Sequence, residues 1–278
     1  MPLVKLKDVL SNADRRDCHA IGLVCQGWED SRAYVEAGEA ANAPVILCAG
    51  PSARRNMPVQ LWGQMFSQLA EQANCPVVAH LDHGKTLTEI QQALDAGFSS
   101  VMFDGSNLPL KDNIATTLKA MEAARPYGAS IEAEVGLVGY QDGEPSEGTT
   151  ISDAEIFTNA CSVDALAISV GNLHLQTKGH ATIDWHRLAA IEAVTTMPLV
   201  LHGGSGIHPE DRLRLARDHR VRKINLGTEL RKQFGRGLRA ILADDRALFD
   251  RTEIMLGSVS SMHTLAVDLL KASWYPYS

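Results

Sequence analysis

The chain has no stretch approaching the ~20 consecutive apolar residues of a membrane-spanning helix, so neither a membrane span nor a membrane partner is expected. Its first ten residues, MPLVKLKDVL, are mixed in character and hold no apolar core of a secretory leader. It has no CxxC pair: the five cysteines, Cys18, Cys25, Cys48, Cys75 and Cys161, are odd in number, scattered and mostly set in or beside apolar runs. That usage points to buried free thiols in a reducing cytoplasm rather than to a disulfide framework. There is no run of lysines or arginines, and the net charge is −7; a nucleic-acid partner calls for the opposite sign. No composition shift marks a domain boundary, and no segment is of low complexity.

What is present is an ordinary globular composition, 45% hydrophobic and 21% charged, in 278 residues. That length fits one α/β barrel of about 250 residues. Apolar runs recur at 20–25, 44–50, 77–84, 99–105, 130–136, 165–171, 198–204 and 221–228. Helical sequence lies between them at 29–41, 57–73, 86–96, 110–125, 153–160, 185–193 and 209–217. Apolar runs bounded by Pro and Gly suit parallel strands covered on both faces. Their even alternation with helices predicts a single (β/α)8 TIM barrel over residues 1–278, with an amphipathic N-terminal helix at 3–17 and a C-terminal helical extension. A doubly wound open sheet is the alternative. Residues 51–56 read as a polar turn, Gly97 as a helix C-cap, and residues 137–151 as a long polar loop of the kind that forms functional lids.

The third run ends in His80-Leu81-Asp82-His83-Gly84. A carboxylate beside imidazoles can hold a metal and move a proton, although a strand-end Asp and His can also simply cap the next helix. The other strand ends carry Asp104, Glu132 and Glu134, His174, His202 and Asn225. A barrel brings all of these to one mouth. Three histidines from three strands, with carboxylates, form a catalytic zinc arrangement that keeps a fourth position open. His80 shares a strand face with Asp82 and is expected to pack or support rather than to ligate. His180, His186, His208 and His219 fall in helix or loop sequence and are expected at the surface.

The glycines of His202-Gly203-Gly204-Ser205-Gly206 and Asn225-Leu226-Gly227-Thr228 have a second meaning. Loops after the seventh and eighth strands of a barrel frequently bind phosphate through free backbone N–H groups, with Ser205 and Thr228 as hydroxyl donors. Two tight turns would use the same glycines. A metal beside a phosphate site, with the carboxylate of Asp82 free, suggests carbonyl chemistry in which the metal polarises a ketone and Asp82 shuttles a proton. The Schiff-base route needs a lysine at the mouth. The sixth strand has none, Lys223 comes too early in the eighth, and Lys178 lies in a loop.

Together the motifs HLDHG (80–84), MFDGSNLP (102–109), IEAEVG (131–136), GNLH (171–174), LHGGSG (201–206) and KINLGTEL (223–230) resemble, in order and spacing, the class II, zinc-dependent ketose-bisphosphate aldolases, and most of all their tagatose-bisphosphate branch. The resemblance covers nearly the whole chain. It implies that His83, His174 and His202 bind one catalytic Zn2+, and that Asp104 and Glu134 join the metal in a second, buried pose. It implies Asp82 as the acid/base and Asp142 as the acidic residue of the lid. Gly203, Ser205, Asn225, Gly227 and Thr228 would hold the dihydroxyacetone-phosphate half of a phosphosugar. A monovalent cation is a further candidate cofactor, and a homodimer or homotetramer is the expected assembly.

The pattern departs from the family in the acceptor half. An Asn pair of the first strand and loop is Val24 and Gly27 here, the Arg of a late DPR motif is Thr252 with Arg251 one step away, and the Gly after the sixth-strand His is Leu175. A changed aldehyde partner is therefore expected, either unphosphorylated or carrying an anion held by Arg54 and Arg55 or by Arg251. The competing readings are a metal-dependent hydrolase or isomerase on the same barrel, and a non-catalytic accessory subunit of an aldolase.

Overall fold

Each apolar run becomes a strand with both faces covered: every residue of Val45–Ala49 and of Ser130–Val135 is buried. In the computed structural model, which describes residues 3–141, 143 and 145–276, the strands are β1 (Ala20–Val24), β2 (Val45–Ala49), β3 (Val77–Gly84), β4 (Ser100–Phe103), β5 (Ser130–Val135), β6 (Ala165–Ile168), β7 (Leu199–Leu201) and β8 (Val221–Leu226). All neighbours are parallel, and β8 pairs with β1 to close an eight-stranded barrel in sequence order. The helices are α1 (Leu6–Arg15), α2 (Trp28–Ala41), α3 (Pro51–Asn56), α4 (Val59–Gln72), α5 (Leu87–Asp95), α6 (Leu110–Ala124), α7 (Ile151–Ala160), α8 (Trp185–Val194), α9 (Pro209–Arg217), α10 (Thr228–Asp244) and α11 (Arg251–Trp274). This is the predicted (β/α)8 architecture, with α1 before the barrel and the pair α10–α11 after it. Among the described residues no helix is long and apolar enough to cross a membrane.

Local signals set the element ends. Thr86 caps α5 through a capping box with Glu89, and Gly97, at φ +88°, follows its C-cap. Helix α7 starts at Ile151, two residues earlier than its sequence suggests, because the Thr150 side chain accepts from Asp153 N at 3.0 Å. Residues 51–56 form the helix α3 rather than a turn; Pro51 at its first position is preorganised for helical φ.

The barrel interior departs from the usual apolar filling. His80 and Asp82 on β3, Glu132 and Glu134 on β5, and Lys223 and Asn225 on β8 lie at alternate strand positions and are all buried. The pairs form two levels. Glycine makes room for one of them: Gly22 lies opposite Asn225 in the β1–β8 register, and a Cβ on it would stand 2.1 Å from Asn225 Oδ1.

Candidate active site

The upper level opens into a cavity of about 420 Å3 at the C-terminal ends of the strands. Asp82, His83, Asp104, Glu134, His174, Gly203, Ser205, Asn225, Gly227 and Thr228, all singled out in the sequence, line it, and His202 is buried behind them.

Three imidazoles converge there. Ligand nitrogens of His83, His174 and His202 lie within 4.8 Å of one another, and so do those of His83 and the carboxylate oxygens of Asp104 and Glu134. The β3–β4 register slips between Leu81 and Gly84, and His83 takes φ +54°; such irregularities re-aim side chains. His83 Nδ1 is then 2.6 Å from Asp104 Oδ2, which leaves Nε2 facing the cluster. His202 presents Nδ1, 2.9 Å from His83 Nε2, while its Nε2 is 3.0 Å from Glu132 Oε1. His174 follows β6, its ring tilted 31° to that of Tyr140 at 5.1 Å, and its backbone N–H donates to Gly139 O. Leu175 beside it sits at φ +51°, a conformation glycine takes freely.

These donors suit a metal ion. Two of the histidines have one ring nitrogen held by a carboxylate and the other turned inward, the arrangement that fixes tautomer and orientation in metal sites. Glu134 Oε2 is buried without a hydrogen-bond partner, 3.7 Å from His83 Nδ1 and 3.8 Å from His202 Nδ1. Burial, then the Asp104 charge, push the Glu134 carboxyl up to about 8; a cation at the cluster would reverse that. Burial, then the His83 charge, lower both His174 and His202, which keeps lone pairs available. Burial also opposes a charge on His83, but Asp82, Asp104 and Glu134 outweigh it and raise that imidazole to about 9. Asp104 is held in place by Lys85 Nζ at 2.7 Å and by the Ser106 hydroxyl at 2.6 Å.

Asp82 stands beside the cluster. Its Oδ1 accepts from Asn225 Nδ2 at 2.9 Å. Its Oδ2 faces Gly50, where an added Cβ would lie 3.3 Å away. Burial works against its charge, but His83, His202 and Lys223 prevail and hold the carboxyl at about 2. On the β7–β8 side Ser205 Oγ accepts from Gly227 N (3.2 Å) and Glu229 N (3.3 Å). It ties the two glycine loops together at the N-terminus of α10, a natural place for an anion.

Not every sequence candidate belongs to this mouth. Glu132 lies one level below it, fully buried, where Oε2 is 2.8 Å from Lys223 Nζ and His80 lies alongside. His80 Nδ1 is 2.8 Å from Ser100 Oγ, so it supports rather than ligates. Arg54 is a correction: its guanidinium donates to Ala49 O and Asp82 O (both 2.6 Å) and His83 O (3.0 Å), and pairs with Glu89. Those bonds brace the end of β3, and Arg55, not Arg54, lines the cavity. Arg251 is exposed at the start of α11 and does not line the cavity of its own chain. Asp142 lies outside the described residues. Gly27 serves as the N-cap of α2, with its N–H donating to Asp30 Oδ1 at 2.8 Å. Sequence reading did not foresee Lys85, Tyr140 and Arg231 at the mouth, nor the Lys223–Glu132 pair; charged residues two apart on apolar strands were the available signal for the latter.

A family model for class II fructose-bisphosphate aldolase matches residues 4–273. The chain belongs to the class II fructose-bisphosphate aldolase family. It is 35% identical over 258 residues to a fructose-bisphosphate aldolase of Staphylococcus aureus, covering 90% of each chain. It is 35% identical over 263 residues to that of Geobacillus stearothermophilus, covering 92% of this chain and 91% of the relative. Among solved structures, the YdjI aldolase of Escherichia coli K12 superposes with a TM-score of 0.84 at 24% identity, covering 99% of this chain and 100% of that one. A fructose-bisphosphate aldolase of Campylobacter jejuni gives 0.83 at 19%, covering 98% and 95%; these two likenesses concern the fold. The reaction class of the family is cleavage or formation of a carbon–carbon bond beside a carbonyl.

Proposed function

We propose that this chain catalyses the reversible, zinc-dependent aldol cleavage of a phosphorylated ketose to dihydroxyacetone phosphate and an aldehyde. The observation that carries this reading is the convergence of His83, His174 and His202 within 4.8 Å, beside an ionised Asp82 and two glycine loops on one cavity.

His83, His174 and His202 would hold the zinc ion, with Asp104 and Glu134 as the alternative partners of His83. When bound, the ion supplies Lewis-acid polarisation of the ketone. Asp82 takes the proton of the hydroxyl whose oxygen becomes the aldehyde oxygen. The adjacent carbon–carbon bond breaks, its electron pair passes into the ketone half, and that half takes up a proton on carbon to give dihydroxyacetone phosphate; in the reverse reaction Asp82 returns its proton to the aldehyde oxygen. Asn225 fixes Oδ1 of Asp82, so Oδ2 is the oxygen that works. Gly203, Ser205, Gly227 and Thr228 orient the donor phosphate at the N-terminus of α10. The family resemblance assigns a second acid/base to Asp142, in the polar loop after β5.

The acceptor half is where this chain differs, with Val24 and Leu175 on the cavity wall. Placement in the tagatose branch rests on the motifs; the relatives above carry the fructose name. A cytoplasmic setting agrees with five buried free thiols, and a homodimer or homotetramer agrees with the prevalence of closed symmetric assemblies. A bound monovalent cation belongs to the same reading.

Metal counting joined to chelation tests the proposal. One zinc per chain is expected, with carbon–carbon cleavage lost in EDTA and restored by Zn2+. Two metals per chain and hydrolysis without cleavage would replace the aldolase by a two-metal hydrolase.

A further inference from the structure

Several cations lie at or near the mouth, and two of them are already engaged. Lys85 is paired with Asp104, and Arg54 is bound to three carbonyls and Glu89. Among the described residues lining the cavity, Arg55 and Arg231 are the two arginines, and no hydrogen bond or ion pair engages either guanidinium.

The placement of Arg231 is unfavourable in the fold alone. It puts a positive charge in the first turn of the 17-residue α10, where the helix dipole opposes it. Its Nε is buried without an acceptor, which costs free energy. Gly227 packs between Val24 and Arg231: a Cβ there would crowd Val24 Cβ at 3.2 Å and would meet Arg231 Nη2 in ordinary contact at 3.6 Å. Gly227 has φ −142°, outside the left-handed region, so this glycine provides space rather than backbone freedom. An anion beside the guanidinium would offset both costs.

The position within the mouth indicates which anion. Val24 ends β1, between β8, which leads to Arg231, and β2, which leads to Arg55. The two arginines thus flank an apolar floor. The working oxygen of Asp82 faces the β2 side, towards Gly50, so the aldehyde half of the substrate lies in this sector, away from the β7 loop. We infer that Arg231, with Arg55, recognises an anionic group at the far end of the acceptor aldehyde, a phosphate or a carboxylate, either of which a guanidinium fork binds through paired hydrogen bonds. This rests on the aldolase reading above and makes Arg231 a specificity-determining residue of this chain.

Calorimetric binding to the zinc-loaded enzyme tests it with probes that have no carbonyl to cleave: a hexitol 1-phosphate, the hexitol 1,6-bisphosphate and 6-phosphogluconate. The wild-type chain is expected to bind one or both doubly anionic probes roughly tenfold or more tighter than the monophosphate; the two arms separate a phosphate from a carboxylate. Arg231→Met should bring that preference to within about twofold while leaving monophosphate affinity nearly unchanged, and Arg231→Lys should keep part of it. Equal or absent binding of all three probes by the wild type would overturn the inference. So would an Arg231→Met variant that weakens the monophosphate as much as the others. Release of dihydroxyacetone phosphate by the wild type is read separately and bears on the aldolase reading alone.

Discussion

Glu132 Oε1 lies 3.0 Å from His202 Nε2 at the centre of the barrel, and both side chains are completely buried. The contact fixes which nitrogen of His202 faces the cluster. Glu132→Gln should therefore weaken zinc binding by roughly 10–100-fold, measured by competition with a chelator of known affinity. Unchanged affinity would remove Glu132 from the metal site's support.

The other oxygen of Glu132 pairs with Lys223 at 2.8 Å, again with no exposure on either side chain. Burial opposes the Lys223 charge, but Glu132 outweighs it and raises the ammonium above its usual range. Lys223→Met leaves a buried carboxylate short of its counter-charge and should cost about 3–5 kcal/mol in denaturant unfolding. The double variant Lys223→Met with Glu132→Leu should recover part of that loss. A single variant as stable as the parent would contradict the pairing.

Asp82→Asn keeps the shape of the side chain and removes its basicity. A drop in kcat of about 10²–10⁴-fold is expected, with zinc content unchanged by atomic absorption. Loss of zinc along with activity would instead make Asp82 a ligand.

How far the site was legible in the sequence depends on depth and on neighbours. The strand ends were readable because apolar runs stop at His83, Asp104, Glu134 and His202. Period-two alternation put Glu132 on the same face as Glu134, but it says nothing of depth, which the stagger of a closed barrel sets; Glu132 therefore sits a level lower than its motif suggests. Arg54 and Arg55 are adjacent in the sequence. Helix α3 turns the first onto the carbonyls of Ala49, Asp82 and His83 and leaves the second at the mouth. Arg231 reaches the cavity from the first turn of α10; only packing reveals that. The eight-strand count survived because each strand is buried on both faces.

His19 gives a pH dependence remote from the metal cluster. Both of its ring nitrogens are buried without partners, and burial, then Arg212 and Arg222, lower it from 6.5 to about 3. The folded state binds the proton more weakly than the unfolded chain, so the contribution is complete above pH 6.5 and is lost as pH falls towards 3. Over that window stability should fall by up to about 1.4 kcal/mol per pH unit from this residue. His19→Leu should flatten the fall in unfolding free energy between those limits. An unchanged slope would show that His19 does not titrate as described.

The central claim is met most directly by assaying release of dihydroxyacetone phosphate from a panel of ketose 1-phosphates and 1,6-bisphosphates, before and after EDTA. Release from at least one substrate, abolished by EDTA and restored by Zn2+, is the expected result. Absence of release from every substrate, by enzyme carrying one zinc per chain, would contradict it.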